Sequence, residues 1–95
     1  MSVYKGTRVF PGGVTKDGME LDPIPAQKIL YCSDDFDWGY NGNGPFLLAL
    51  ALLLEELGED MAKRHCFAFL DQVVSIMPHT WQLTSEQIQT WVKAQ

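Results

Sequence analysis

The fold of this chain depends on the stretch Phe36-Asp37-Trp38-Gly39-Tyr40-Asn41-Gly42-Asn43-Gly44-Pro45, which leads directly into Phe46-Leu47-Leu48-Ala49-Leu50-Ala51-Leu52-Leu53-Leu54. A loop rich in glycine and aromatic residues thus opens onto the most apolar part of the sequence. Pro45 suits the first turn of a helix, with Gly44 before it as a permissive cap, and Gly58 suits a C-terminal stop. Because the run is apolar on every side, we predict a central, buried helix from Pro45 to about Leu57.

The N-terminal third of the sequence predicts a small antiparallel sheet. Residues 3–10 carry Val, Tyr, Thr and Phe with polar residues between them, as expected of a strand. The dipeptide Asp17-Gly18 is typical of a two-residue hairpin turn. The two prolines within 22–25 disfavour a helix and favour extended chain, so we predict a further short strand over 27–32. Two to four strands are expected in total.

Two helices are predicted after the central one. Residues 59–77 repeat apolar side chains at helical spacing, with Cys66 on the apolar face. Residues 84–93 begin with Thr84 and Gln87 at the spacing of a capping box. Strands followed by helices indicate the α+β class. We therefore expect one domain over residues 1–95, with the small N-terminal sheet packed on about three C-terminal helices.

The composition limits the possible functions. The chain has 95 residues, a formal net charge of -5 and only seven Lys and Arg, which are scattered along the sequence. This charge argues against direct binding to nucleic acid, which normally needs a clustered basic surface. The apolar run over 46–54 is too short to span a bilayer, and the N-terminus lacks the pattern of a signal peptide. We expect a cytoplasmic protein, in the cytosol of a host cell.

The glycine-rich loop is the candidate binding site. A turn that feeds a helix N-terminus presents backbone N–H groups and the positive end of the helix dipole to an anion, and aromatic rings beside it could stack on a base. The glycine spacing over 39–44 matches a P-loop, but Pro45-Phe46 replaces the Lys and the hydroxyl residue. In the alternative interpretation the loop is a structural latch whose rings pack over the helix. The candidate ligand- or partner-binding residues are Asp37, Trp38, Tyr40, Asn41, Gly42, Asn43 and Gly44.

No catalytic or metal-binding pattern is found. The cluster of Asp34, Asp35 and Asp37 does not fit a calcium loop. A loop that starts at Asp35 has Tyr40 in place of the required glycine and Phe46 in place of the glutamate, and one that starts at Asp37 has Leu48 in place of the glutamate. His65 and His79 have no Cys, Ser or Asp at a spacing that would build a metal pair or a nucleophilic triad. The two cysteines form no Cys-x-x-Cys pair. We expect a protein that is not an enzyme and that holds no metal or other cofactor.

The loop motif Phe36-Asp37-Trp38-Gly39-Tyr40-x-Gly42-x-Gly44-Pro45, with the Leu-Ala-Leu-Ala-Leu-Leu run behind it, resembles the signature of a family of small bacterial, plasmid and phage proteins described as a domain of unknown function. The similarity extends over nearly the whole chain. The resemblance implies no activity and no assigned residue. It does imply a setting on mobile elements, where short acidic proteins often bind and block host machinery.

The expected function is therefore that of a non-enzymatic binding protein of a phage or mobile element. In its most specific form it is an anti-defence inhibitor whose acidic surface binds a host protein or protein complex. One alternative is a module that binds a nucleotide or another small anionic ligand through the loop over 39–45, such as a sponge for a signalling nucleotide. A second alternative is a small enzyme of uncharacterised kind. The sequence leaves the oligomeric state open.

Overall fold

The computed structural model describes residues 1–95 and confirms the α+β class. The chain divides into two compact units, which we call the sheet unit (Met1–Leu21 and His79–Gln95) and the helical unit (Asp22–Pro78). In chain order the elements are β1 (Val3–Thr7), β2 (Gly13–Lys16), β3 (Met19–Glu20), α1 (Ile24–Ile29), α2 (Asn43–Leu57), α3 (Glu59–Gln72), a 3-10 turn (Val74–Ile76), β4 (Thr80–Thr84) and α4 (Ser85–Lys93).

The sheet unit contains a four-stranded antiparallel sheet in the order β3-β2-β1-β4. The predicted hairpin turn is confirmed, because Asp17 and Gly18 both adopt positive φ angles, 52° and 83°, between β2 and β3. The Asp17 carboxylate accepts the Val3 N–H at 2.8 Å, and this hydrogen bond lowers the pKa of Asp17. The turn is thereby held against the start of β1.

Two local predictions in this part of the chain are wrong. The strand predicted over 3–10 ends at Thr7, because the chain turns back where the Gly12 N–H donates to the Val9 carbonyl at 2.7 Å. The first half of the segment predicted as a strand over 27–32 belongs to helix α1, which ends at Ile29, and the second half forms no strand. The prolines of α1 occupy the N-cap and the first turn, where a backbone N–H needs no partner within the helix, so they begin the helix rather than prevent it.

The fourth strand of the sheet comes from the C-terminal part of the chain, which the sequence analysis did not foresee. All five residues of β4 pair with β1, and Trp81 lies directly opposite Gly6. A Cβ atom on Gly6 would lie only 2.3 Å from Trp81 Nε1. The indole therefore covers the glycine backbone, in the way that aromatic side chains compensate for glycine in designed sheets. Only glycine fits at this central position of β1.

The helical unit is built around α2. The prediction of a buried central helix is confirmed, since the side chains on all its sides are shielded from solvent. Burying each leucine stabilises the fold by about 1.5–3 kcal/mol before the entropy of ordering is subtracted. The helix ends at Leu57 as predicted, with Gly58 at a φ of 84°. Its start was placed two residues too late, because Gly42 is the N-cap and Asn43 the first helical residue. The most buried leucines are Leu47, Leu48, Leu50, Leu52 and Leu53.

Helix α3 has the predicted apolar face, with Cys66 buried, but it is shorter than the predicted range 59–77. It ends at Gln72, and a 3-10 turn follows after Val73. The β-branched residues in this region lower helix propensity. In addition, the Ser75 hydroxyl donates to the Asp71 carbonyl at 2.7 Å, which gives that carbonyl a partner outside the helical ladder.

The capping box predicted for the last helix is confirmed. The Gln87 N–H donates to Thr84 Oγ1 at 3.1 Å, and the Thr84 N–H donates to Gln87 Oε1 at 2.9 Å. Two backbone donors at the start of α4 and the end of β4 are satisfied by one reciprocal pair. This pair joins the last strand of the sheet to the helix that follows it.

We expect Thr84→Ala to lower the free energy of unfolding by about 1 kcal/mol, because the Gln87 N–H then has no side-chain acceptor. Thr90→Ala is the matched control, since Thr90 lies exposed within the same helix and alanine favours helix there. Urea unfolding of both variants measures the difference. Equal stability of Thr84→Ala and Thr90→Ala would show that the capping box contributes nothing.

Candidate functional site

The loop over 36–45 is closed by its own hydrogen bonds. Asp37 Oδ1 accepts the Trp38 N–H at 2.9 Å, and Asp37 Oδ2 accepts the Tyr40 hydroxyl at 2.8 Å. The Gly39 N–H donates to the Val74 carbonyl at 3.0 Å, which ties the loop to the 3-10 turn after α3. The Trp38 side chain is only 3% exposed. Asp37 and Trp38 are therefore part of the structure of the loop.

Close packing requires one glycine of the loop, Gly44, and an aromatic ring covers a second, Gly42. A Cβ atom on Gly42 would lie 2.7 Å from Cε2 of Tyr40, whose ring covers this residue. A Cβ atom on Gly44 would lie 2.8 Å from Cβ of Asp37. Both distances are shorter than real Cβ atoms show. Gly44 thus has a packing explanation, as the latch interpretation expects, whereas at Gly42 a rotation of the exposed Tyr40 ring would relieve the contact.

The structure separates the seven predicted site residues by exposure. Trp38 and Gly44 are buried, and Asp37 and Gly42 are half-buried. Tyr40 is 48% exposed, and Asn41 and Asn43 beside it are also exposed. Only these last three are exposed and accessible to a partner.

The N-terminus of α2 is a poor phosphate cradle. Pro45 has no N–H, and the Phe46 N–H already donates to the Gly42 carbonyl at 2.9 Å. Asp37 packs its Cβ atom beside Gly44, in the first turn of the helix, while its carboxylate accepts the Trp38 N–H and the Tyr40 hydroxyl. A carboxylate in this place interacts favourably with the helix dipole and repels a second anion.

The chain segment before the loop extends the exposed surface. The Cys32 thiol donates to the Asn43 carbonyl at 3.5 Å, which places this segment beside the start of α2. Tyr31 is 65% exposed, and its hydroxyl donates to Asp34 Oδ1. Asp35 is also exposed, and its carbonyl lies 3.5 Å from the position of a Cβ atom on Gly44. We call the following exposed residues the acidic-aromatic surface: Tyr31, Asp34, Asp35, Tyr40, Asn41 and Asn43.

The negative charge of the protein is concentrated in the helical unit. Asp22–Pro78 contains nine Asp and Glu against three Lys and Arg, a net charge of -6. The sheet unit contains three Asp and Glu against four Lys and Arg, a net charge of +1. The acidic-aromatic surface thus belongs to the part of the chain that carries all of the net negative charge.

The remaining chemical groups do not assemble into a centre. Burial raises the pKa of both thiols, Cys32 and Cys66, so both are protonated near neutral pH. No group of three or more His, Cys, Asp or Glu residues is arranged to hold a metal ion. None of the helices has the length and apolar character needed to cross a membrane.

The sheet unit has a groove that the sequence analysis missed. It has a volume of about 660 Å³ and lies beside the loop that joins β1 to β2. Val9 and Phe10 in that loop are 70% and 94% exposed. Of this apolar pair only Val9 lines the groove, and in the sequence both residues were predicted as part of the strand over 3–10. Polar side chains lining the groove include Lys5, Thr7, Thr15, Thr80 and Gln82.

Comparison with known proteins places the chain in a family. Residues 4–94 match DUF6166, a family of unknown function, and because the match covers nearly the whole chain the protein belongs to that family. This match confirms the expected membership in a family of unknown function. A search of the curated proteins found no match, and a search of the solved structures found none either.

We expect Gly44→Ala to destabilise the protein by about 1–3 kcal/mol, because the new methyl group overlaps Asp37 Cβ. At an open helical site the same change stabilises by up to about 1 kcal/mol, so the sign of the effect is diagnostic. Asn43→Ala, at the exposed neighbouring position, is the control. Urea unfolding gives both values, and a stabilised Gly44→Ala variant would contradict the latch interpretation.

Proposed function

We propose that this protein is a non-enzymatic binding protein that docks a basic partner protein on its acidic-aromatic surface. The observation that carries the proposal is the coincidence of two features in the helical unit. This unit holds a net charge of -6, and Tyr31 and Tyr40 are exposed in it. Each tyrosine hydroxyl donates to a carboxylate, that of Tyr31 to Asp34 and that of Tyr40 to Asp37.

Physical chemistry supports this combination as a docking surface. Exposed carboxylates steer a basic partner towards the surface and raise the association rate at low salt. Tyrosine is enriched among the residues that contribute most to protein binding, because it buries a large ring and keeps a polar group at its tip. The loop beneath is held rigid by the Asp37 hydrogen bonds, so little conformational entropy is lost when a partner binds.

In its more specific form the proposal is an anti-defence inhibitor from a phage or mobile element. A host defence complex that handles nucleic acid needs a basic surface to hold the phosphate backbone. An acidic protein of this size can occupy such a surface and compete with nucleic acid for it. The acidic charge supports this form, as does the setting implied by the family resemblance.

The nucleotide-binding alternative has less support from the geometry. Its motivating features were the glycines, the helix N-terminus and the two aromatic rings. Gly44 is explained by packing, Trp38 is buried, and Asp37 lies beside the first turn of α2. We expect no thermal stabilisation by a panel of nucleotides, whereas a ligand at a hundred times its Kd would add about 2.7 kcal/mol. A shift that Asp37→Asn enlarges would favour the nucleotide function instead.

The docking proposal is tested by reversing charge on the surface. The wild-type protein is immobilised, exposed to a lysate of the native host, and the proteins released by salt are identified and purified. We expect Asp34→Lys/Asp35→Lys to weaken binding of the purified partner at least tenfold, which corresponds to roughly 1.4 kcal/mol. Isothermal titration at two salt concentrations measures the affinity, and wild-type binding should weaken as salt rises.

Glu55→Lys/Glu56→Lys is the matched control. It makes the same change in net charge at the other end of α2, roughly 18 Å from Asn43 at a rise of 1.5 Å per residue. Lysine is also favourable in the last turn of a helix. Equal loss of binding in the two double variants would show that the effect depends on net charge alone. It would refute the acidic-aromatic surface as the docking site. Failure of the wild type to retain any salt-sensitive partner would refute the proposed function.

A further inference from the structure

Strand β4 is the edge of the sheet opposite β3, and its residues Thr80 and Gln82 are exposed. The opposite edge is blunted, because β3 has only two residues and the chain then continues into Asp22-Pro23. β4 has five residues in continuous register with β1, and it contains no proline, no bulge and no charged side chain. Natural sheets usually protect a long edge by one of these devices, since a bare edge is a template for pairing with another strand.

The backbone of β4 directs hydrogen-bonding groups outwards at alternate residues. The Ser85 N–H donates to the Ser2 carbonyl at 2.9 Å, which continues the β1–β4 ladder beyond the strand, whereas the Thr84 N–H points to Gln87. In an antiparallel pair, residues alternate between facing the partner strand and facing away from it. Gln82, two residues before Thr84, therefore points its N–H and C=O away from β1, as does Thr80.

The side-chain pattern of β4 is complementary to itself. If two copies of β4 pair in antiparallel fashion around Gln82, that residue lies opposite its own counterpart and Trp81 lies opposite Leu83. Trp81 and Leu83 are two residues apart and so share one face of the sheet, which makes this an apolar cross-strand pair. At the two ends, Thr80 lies opposite Thr84. Each position meets a residue of its own polarity.

The charge distribution permits this contact between two acidic chains. Residues 72–85 contain no Asp, Glu, Lys or Arg. The sheet unit as a whole has a net charge of only +1, while the -6 charge lies in the helical unit. Two copies that meet at β4 therefore bring together the uncharged part of the sequence, and the close electrostatic repulsion is small.

We propose that a second copy of this chain docks on β4, so that two sheets join into one continuous sheet across a twofold axis at Gln82. Such an interface is isologous, since the same residues contribute from both copies. The two Gln82 backbones exchange two hydrogen bonds at the axis. One strand pair buries less than the roughly 1,200 Å² of a standard interface, so the dimer is weak and depends on concentration. This inference concerns the sheet unit and is independent of the proposed function.

Substitution on the axis gives a direct test. Gln82→Lys and Gln82→Glu each place two like charges opposite one another, and mixing the two variants places opposite charges there. We expect wild-type protein in a sedimentation series from micromolar to millimolar concentration to approach twice the chain mass of 10.7 kDa. Each variant alone should remain at 10.7 kDa, and the equimolar mixture should recover the dimer. Gln95→Lys, an exposed amide with the same charge change, should dimerise as the wild type does.

A second measurement monitors the same contact without a substitution. The Gln82 amide should exchange with solvent at least tenfold more slowly at the highest concentration than at the lowest, while amides within α2 show no such dependence. Circular dichroism tests whether the variants are folded. We expect that they are, because the Gln82 side chain is exposed and the β1–β4 ladder is held by backbone hydrogen bonds. Wild-type protein that stays at 10.7 kDa throughout overturns the proposal. So does a dimer that survives both variants, or a mixture that fails to associate.

Discussion

The close approach of Gly44 to Asp37 is the contact on which the helical unit depends. Helix α2 is buried on all sides, so the chain that leads into it must cross its N-terminus tightly. Asp37 does this by packing its Cβ atom on Gly44 while its two carboxylate oxygens hold Trp38 and Tyr40. The Gly39 bond to Val74 then joins this turn to the end of α3. One acidic side chain thus orders the loop, packs beside the first turn of the apolar helix and holds the exposed Tyr40 ring by its hydroxyl.

The helices other than α1 could be predicted largely from local patterns in the sequence. The apolar run, Gly58 and the capping box of Thr84 and Gln87 are short-range patterns, and each corresponds to the element expected of it. The start of α1 was missed for a physical reason. A proline opposes a helix only beyond the first turn, and composition alone does not say where the turn begins. Strand β4 was missed because its pairing partner lies at the other end of the chain.

The candidate site could be located from the sequence, but its exposed part could not be identified. The loop over 36–45 was chosen for its glycines and aromatic rings, and those features have mainly a packing role in the structure. Which rings face outwards depends on the Asp37 hydrogen bonds, and the sequence pattern does not encode that choice. Tyr31 and Asp35 join the surface only because the preceding segment folds back beside Asn43.

We conclude that the loop over 36–45 is a rigid part of the fold, and we propose that binding is confined to the acidic-aromatic surface. Native-state hydrogen exchange at Gly39 tests it most directly. We expect that the Gly39 amide, which donates to the Val74 carbonyl, exchanges with solvent only in the same unfolding event that exposes the amides of α2. Exchange of Gly39 as fast as that of the exposed Asn41, while α2 remains protected, would show a mobile loop and contradict the account.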